Sequence, residues 1–333
     1  DERQDLLSGL GLAPEDNPVR LHCANGVEAG HDGWLYLSMG DHGVDVKRPE
    51  GDRLVLQGGG ILRCRADGTK LHIFARGLRN VYDVALDADL NVFTRDNEND
   101  GGDYKIRWYH SFYGADHGYP YLCFERPRET QQPLADLGLG SSAGGAAYLE
   151  THFPAQWHGS LFFCEWGKSV VSYPLENNGS SFATKPEVKF AVGDDTDKYP
   201  FKPTDIIVDH DGTLLVSDWA DGQRPKRGRG RIYRIYHSKR PVQPDPLPNA
   251  KLPASKLMIL LDSPSHHIRS AAQFALEEQG AAALTILRER LEQLSEHGRM
   301  HACWLVNSET LFRMAATDPS PRVRTQAIRT LAD

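Results

Sequence analysis

His22 and Asp41 flank a stretch, His22 to Gly43, that reads as two strand-like runs around the turn His31-Asp32-Gly33. Two antiparallel strands joined by a tight turn bring their outer ends side by side, so an imidazole at one end meets a carboxylate at the other. An aspartate beside a histidine orients the ring and fixes its tautomer, which is what a general base requires; the plainer alternative is a structural histidine bonded within its own hairpin. A second polar group follows at Arg79-Asn80 and in the loop Asp96-Asn97-Glu98-Asn99-Asp100-Gly101-Gly102-Asp103, with Asp116 nearby. The carboxylates of Asp96, Glu98, Asp100, Asp103 and Asp116 suit a hard, oxygen-liganded cation such as Ca²⁺ better than zinc. The loop lacks the ligand pattern of an EF-hand, and the alternative to a metal loop is a solvated acidic turn.

These residues need a scaffold, and the chain around them is written in hairpins. Up to about Tyr236, short apolar or alternating stretches are separated by Gly, Asp and Asn turns, with helical periodicity nearly absent. Three segments repeat one another: Gly30-His31-Asp32-Gly33-Trp34-Leu35-Tyr36, Asp87-Ala88-Asp89-Leu90-Asn91-Val92-Phe93 and Asp209-His210-Asp211-Gly212-Thr213-Leu214-Leu215. Each leads into a strand ending in an acidic residue, at Asp41, Asp96 or Asp218, and Gly145 to Tyr173 supplies a further copy between the second and third. A recurrence on the order of sixty residues, with about four strands each, predicts blades of an all-β propeller, of which about four are visible.

After Arg240-Pro241-Val242-Gln243-Pro244-Asp245-Pro246-Leu247-Pro248 the period becomes helical. Pro264, Ile268, Arg269, Ala272 and Leu276 are matched at constant offset by Pro319, Val323, Arg324, Ala327 and Leu331. A proline opening a helix, followed by apolar residues four apart, presents one face for stacking, and the pattern resembles HEAT repeats, which act as spacers or docks for protein partners. The expected organisation is a partial propeller over residues 1–238, a Pro-rich linker over 239–254 and incomplete HEAT-like repeats over 255–333.

Composition removes several classes. A formal net charge of −7 argues against a nucleic-acid partner, and the one basic run, Arg224 to Arg234, reads as a loop entering a strand. No apolar run approaches the ~20 residues of a membrane span. The 5 cysteines include no Cys-x-x-Cys pair and no haem-attachment motif, which predicts buried free thiols. The chain begins at Asp1 without a methionine or signal peptide and ends inside a helical pattern, so a fragment with preceding blades is expected.

The stretch from His22 through Gly30-His31-Asp32-Gly33-Trp34-Leu35-Tyr36 to Gly40-Asp41-His42-Gly43 resembles the glucose/sorbosone dehydrogenase family, which includes the soluble PQQ-dependent sugar dehydrogenases. Gly77-Leu78-Arg79-Asn80 is similar to that family's Gly-x-Arg-Asn, and Gly114-Ala115-Asp116-His117-Gly118-Tyr119-Pro120 to its Gly-x-x-x-Gly-Trp-Pro. The resemblance implies a six-bladed propeller, truncated at its N-terminus here. It implies that His22 is the general base, held by Asp41, and that Arg79 and Asn80 contact the reactive carbonyls of pyrroloquinoline quinone (PQQ). It further implies that backbone oxygens near Glu98 and Asn99 bind Ca²⁺ and that Lys168 meets a cofactor carboxylate. A quinone that takes hydride needs positive charge where the oxyanion develops, which Arg79 or the cation supplies. Where the family carries Arg-x-Arg-Asp to grip the quinone carboxylates, this chain has Lys202-Pro203-Thr204-Asp205, and lysine offers a point charge rather than a planar fork.

With its helical tail the chain looks most like the membrane-bound dehydrogenase-type HEAT-repeat proteins of planctomycetes and verrucomicrobia. That implies a periplasmic or extracellular location and a c-type cytochrome as electron acceptor. The expected function is therefore oxidation of a carbohydrate or polyol hydroxyl. Two other readings stay open: a metal-dependent lactonase or lyase that uses His22 without a quinone, for which Thr204 speaks, and a non-catalytic carbohydrate- or protein-binding propeller.

Overall fold

Each Asp-centred turn is closed by the side chain of an aspartate within it. Asp32 Oδ1 accepts from Trp34 N at 3.1 Å, Asp87 Oδ1 from Asn91 N at 2.8 Å and Asp211 Oδ1 from Thr213 N at 2.9 Å. Gly33 and Gly212 take positive φ in two of these turns, where a side chain would be strained. The same local chemistry thus starts the second strand of successive sheets in one register. The computed structural model describes residues 5–11, 22–48, 51–166, 169–194, 196–197, 201–219, 230–242 and 246–333.

The chain divides into two units. The first comprises Asp1–Tyr148, Gly159–Ile207 and Leu214–Ile235; the second comprises Leu149–His158, Val208–Thr213 and Tyr236–Asp333. The connections Leu149–His158 and Val208–Thr213, which the sequence reading placed with the propeller, thus group with the helices.

In the first unit, β1 (Ala24–Ala29) pairs with β2 (Trp34–Met39), and a hairpin of β3 (Val44–Lys47) and β4 (Arg53–Leu56) precedes β5 (Gly59–Arg65) and β6 (His72–Leu78). The second sheet opens with β7 (Ala85–Leu86), β8 (Val92–Asp96) and β9 (Arg107–Ser111). Next, β10 (Ala115–Asp116) returns to lie parallel to β6, and α1 (Leu122–Glu125) leads to β11 (Ala135–Asp136), which completes the second sheet on β9. The third sheet contains β12 (Ser142–Ala147), β13 (Leu161–Glu165) and β14 (Ser169–Ser172). A hairpin of β15 (Leu175–Asn178) and β16 (Ser181–Thr184) intervenes before β17 (Val188–Val192) closes it. The last sheet is β18 (Pro203–Val208), β19 (Leu214–Asp218) and β20 (Arg231–Ile235).

Successive antiparallel sheets whose strands run in chain order make this unit a β-propeller, with four blades among the described residues. Strands such as β5 and β13 are buried almost throughout because they have neighbours on both faces. Trp108, Phe93, Phe163 and Val171 pack in one cluster, joining the second and third sheets.

The second unit carries α2 (Ala254–Leu260), α3 (His266–Gln279), α4 (Ala281–Arg290), α5 (Glu296–Ala302), α6 (Ser308–Thr317) and α7 (Pro321–Ala332) around a core of Leu257, Leu276, Leu287, Met300, Leu311 and Val323. The sequence repeat reappears here as a repeat of hydrogen bonds. Ser265 caps α3 by accepting from Ile268 N, and Ser320 caps α7 by accepting from Val323 N. Arg269 Nη1 donates to the carbonyls of Ser263 and Pro264, and Arg324 Nη1 to those of Asp318 and Pro319. Each arginine folds back on the turn before its own helix and satisfies carbonyls that the helix leaves unpaired. No helix among the described residues is long and apolar enough to cross a membrane.

Ser265→Ala and Ser320→Ala are each expected to cost about 1 kcal/mol in denaturant melts followed through the helical signal. A loss at only one site would contradict the equivalence of the two caps.

Candidate functional site

The second strand of every blade ends at or beside a carboxylate, and that carboxylate fastens the chain where it enters the first strand. Asp96 accepts from Arg79 N at 2.7 Å through Oδ2 and from Asn80 N at 2.6 Å through Oδ1. Glu165 Oε1 accepts from Ser141 N at 3.1 Å, and Asp218 Oδ1 from Lys202 N at 2.8 Å. The residue after each acid then donates its own N–H back. His42 N reaches His22 O at 2.9 Å, Asn97 N reaches Asn80 O at 3.3 Å, Trp166 N reaches Ser141 O at 3.0 Å and Trp219 N reaches Lys202 O at 2.9 Å. These bonds make His22, Asn80, Ser141 and Lys202 structurally equivalent, one at the same rim position of each blade.

In the first blade the equivalent carboxylate, Asp41, holds a side chain: Asp41 Oδ1 lies 2.9 Å from His22 Nδ1. Gly40 makes the approach possible, because a Cβ there would stand 2.3 Å from His22 Cβ and 2.4 Å from its carbonyl oxygen. Gly40 also bridges to Asn80 in the next blade. Beside it, Asn25 Nδ2 donates to Asn80 Oδ1 at 3.2 Å and to Val81 O at 2.8 Å. The structure therefore brings His22, Asp41, Asn80 and Arg79 into one continuous stretch of rim. Sequence reasoning missed Asn25 and Gly40, which show only once the neighbouring blade is in place. It also missed Glu165 as a fastening acid, although Glu165 closes the second strand of the third repeat as Asp96 closes that of the second.

The Arg79 guanidinium is sheltered, with 7% of its side chain exposed, and Nη2 pairs at 2.9 Å with Asp100, which is 89% exposed. Its Nη1 donates to the carbonyl oxygen of Glu98. The acidic loop is organised by its own hydrogen bonds. Glu98 Oε2 accepts from Gly101 N at 2.7 Å, and Asn99 Oδ1 accepts from Tyr104 N at 3.1 Å. Asp96 is fully buried, and its Oδ2 also accepts from Tyr104 OH at 2.6 Å. Burial pushes its carboxyl upward, against the opposing pull of the Tyr104, Arg79 and Asn80 donors and the Arg79 charge. Asp96 thus belongs to the fastening of the blade rather than to an exposed ligand shell, and Asp103 lies exposed on the loop surface. Among the described residues, no three His, Cys, Asp or Glu side chains are grouped to hold a metal ion.

Lys202 Nζ lies 5.1 Å from the centre of the Trp166 ring, a cation-over-aromatic arrangement on the third and fourth blades. Thr204 Oγ1 bonds to Ser217 Oγ at 2.8 Å. Lys168 lies outside the described residues. The cysteines are free thiols, four of them buried and Cys23 exposed.

Over residues 1–239 the sequence matches the family described as Domain of unknown function (DUF7133). The chain belongs to this family. Among solved structures, an oxidoreductase (glucose dehydrogenase) from Thermus thermophilus matches with a TM-score of 0.52 at 19% identity, over 69% of this chain and 68% of that one. A glucose dehydrogenase matches at 21% identity with a TM-score of 0.49, and this chain spans 64% of its length. The PQQ-bound aldose sugar dehydrogenase of Streptomyces coelicolor matches at 21% identity with a TM-score of 0.46, over 64% of this chain and 62% of that one. At these identities the likeness is one of fold: this DUF7133 chain has the propeller seen in glucose dehydrogenases. No match was found among curated protein sequences.

Asp96→Asn turns an acceptor into a donor facing two N–H groups and a hydroxyl. It is expected to cost roughly 3 kcal/mol in denaturant melts, with or without added calcium. Asp103→Asn is expected to stay within about 0.5 kcal/mol. Equal and calcium-dependent losses for both would show that a cation holds the loop.

Proposed function

We propose that the propeller oxidises the hydroxyl of a sugar or polyol as a quinoprotein-type dehydrogenase, with His22 as general base. The observation that carries this reading is the contact of His22 Nδ1 with Asp41 beside Asn80 and Arg79. A carboxylate offers only lone pairs, so Nδ1 supplies the proton of that bond and Nε2 keeps its lone pair. The imidazole is 29% exposed and its partner carboxylate 7%, so the base meets solvent while the group that orients it stays sheltered. When Nε2 takes the hydroxyl proton, the imidazolium forms next to the Asp41 carboxylate, which stabilises it.

The other residues fit a planar, anionic cofactor in part. PQQ, when bound, supplies the two-electron acceptor for the hydride that leaves the hydroxyl-bearing carbon. Arg79 suits an oxyanion because its guanidinium is sheltered while its carboxylate partner, Asp100, is exposed and free to turn to solvent when an anionic ligand takes its place. Lys202 adds a point charge above the Trp166 indole. A c-type cytochrome as electron acceptor, a periplasmic or extracellular location and a protein-docking role for HEAT-like helices belong to the same proposal and rest on the family resemblance. Thr204, committed to Ser217, favours a second reading in which a lactonase or lyase uses His22 without a quinone.

The test is to titrate the protein with PQQ and Ca²⁺ by absorbance while following sugar-dependent dye reduction. His22→Ala is expected to lower turnover by roughly 10²–10⁴-fold and to leave quinone affinity within about threefold, whereas Arg79→Ala weakens quinone binding about tenfold. Absence of saturable quinone binding at high micromolar concentration, or full turnover in His22→Ala, would overturn the reading.

A further inference from the structure

The connections Leu149–His158 and Val208–Thr213 line an open cavity of about 270 Å³, together with Arg240, Pro241 and the start of α3. Every residue of its wall belongs to the second unit, so the cavity is separate from the rim that carries His22. Ligand pockets start near ~300 Å³, so a space of this size suits a small molecule rather than a segment of chain.

The walls are held to one another. Gly212, at a φ of 78°, lets the turn after β18 press on the other connection: a Cβ there would stand 2.8 Å from His152 Cβ and 3.3 Å from Glu150 Cβ. Glu150 Oε1 accepts from His267 N at 2.9 Å in the first turn of α3, and the His267 ring meets Val208 O at 3.1 Å through Nε2. His152 Nε2 accepts from His237 N at 3.0 Å, which puts the proton of the neutral ring on Nδ1. Arg240 Nη1 donates to the carbonyl oxygen of Thr151. The side chains around the cavity are thus fixed by the chain itself, before any ligand arrives.

Two opposite charges line this space without closing on each other. Glu150 is 4% exposed, and its only hydrogen bond among the described residues is the one that Oε1 receives from His267 N. Arg269 acts on it only through its field, because that guanidinium is committed to the carbonyls of Ser263 and Pro264. Arg240 is exposed and, among the described residues, gives its guanidinium to a carbonyl and to no carboxylate. Asp211, the other acid of the wall, is engaged at Oδ1 by Thr213 N at 2.9 Å and Thr213 Oγ1 at 2.6 Å. Both signs of charge reach the His152 ring: burial lowers its pKa, Asp211 opposes this, and Arg240 and His237 add to it. A carboxylate oxygen buried to this degree calls for a donor, and the cavity is where one can enter.

We propose that this cavity binds a small zwitterion, a free amino acid, whose ammonium group meets Glu150 and whose carboxylate meets Arg240. An ammonium group only donates and a carboxylate only accepts, which are the roles that Glu150 Oε2 and the Arg240 guanidinium leave open. His152 adds an Nδ1–H donor to the same wall. A neutral sugar would leave both charges without a counter-charge, a simple anion would leave Glu150, and a simple amine would leave Arg240. The apolar atoms of Pro241 and Ile268 complete the lining and suit a short side chain. The site is independent of the dehydrogenase reading and of the rim.

Calorimetric titration of the full chain with the common L-amino acids tests this, followed, for the tightest of them, by its decarboxylated amine and its deaminated acid. Saturable binding at up to about 1 mM is expected for at least one amino acid, with each analogue weaker by about tenfold or more. Glu150→Gln keeps an acceptor for His267 N, and Arg240→Gln changes an exposed side chain, so both are expected to fold. Each is expected to weaken binding about tenfold, while His22→Ala leaves it unchanged. No saturable binding of any L-amino acid up to about 1 mM would overturn the proposal and leave water as the occupant. So would an analogue or either charge variant that binds as tightly as the parent pair, or a loss of binding in His22→Ala, which would move the site to the rim.

Discussion

The hydrogen bond from a carboxylate at the end of a blade's second strand to the backbone that enters its first strand is the contact on which the site depends. It fixes where each blade begins. Asp96, Glu165 and Asp218 do this with backbone N–H groups, and Asp41 extends the pattern to the ring of His22. A charge-assisted bond to a backbone N–H is shorter and stronger than a neutral one, so a buried acid at this point gives the rim a defined geometry. The same repeat that builds the fold thus presents His22, Asn80, Ser141 and Lys202 at equivalent points. Chemistry differs among blades because the residue at that one point differs.

Blade packing and charge are coupled through glycine. Close approach of a carboxylate to a neighbouring strand requires that the strand carry no side chain there, and Gly26, Gly40 and Gly144 each meet that need at a different contact. At the rim Gly40 admits a histidine and its aspartate; on the first strands Gly26 and Gly144 admit Asp83 and Asp205 from the following blade. The first arrangement fixes a tautomer, and the second seats the acid of one blade on the backbone of its neighbour. Both follow from placing an ionisable group against bare backbone.

Much of this was legible in the sequence because it is local. The Asp-centred turns, the acids that end second strands, the pairing of His22 with Asp41 and the matched arginines of the helical repeat all depend on residues within one hairpin or one helix pair. What escaped depends on neighbours distant in the chain. The acidity of the loop after Asp96 suggested a cation shell, yet Asp96 is consumed by donors from Arg79, Asn80 and Tyr104, which composition alone does not reveal. The parallel return of β10 to β6 and the bridge from Asn25 to Asn80 carry no periodic signal.

The central claim is that Asp41 sets the proton on Nδ1 of His22 and leaves Nε2 as the acceptor. Nitrogen-15 correlation spectra of histidine-labelled protein read that tautomer directly in the neutral ring. The account predicts a protonated Nδ1 and an unprotonated Nε2 at His22, with the preference lost in Asp41→Asn. A proton on Nε2 in the unmodified protein would contradict it.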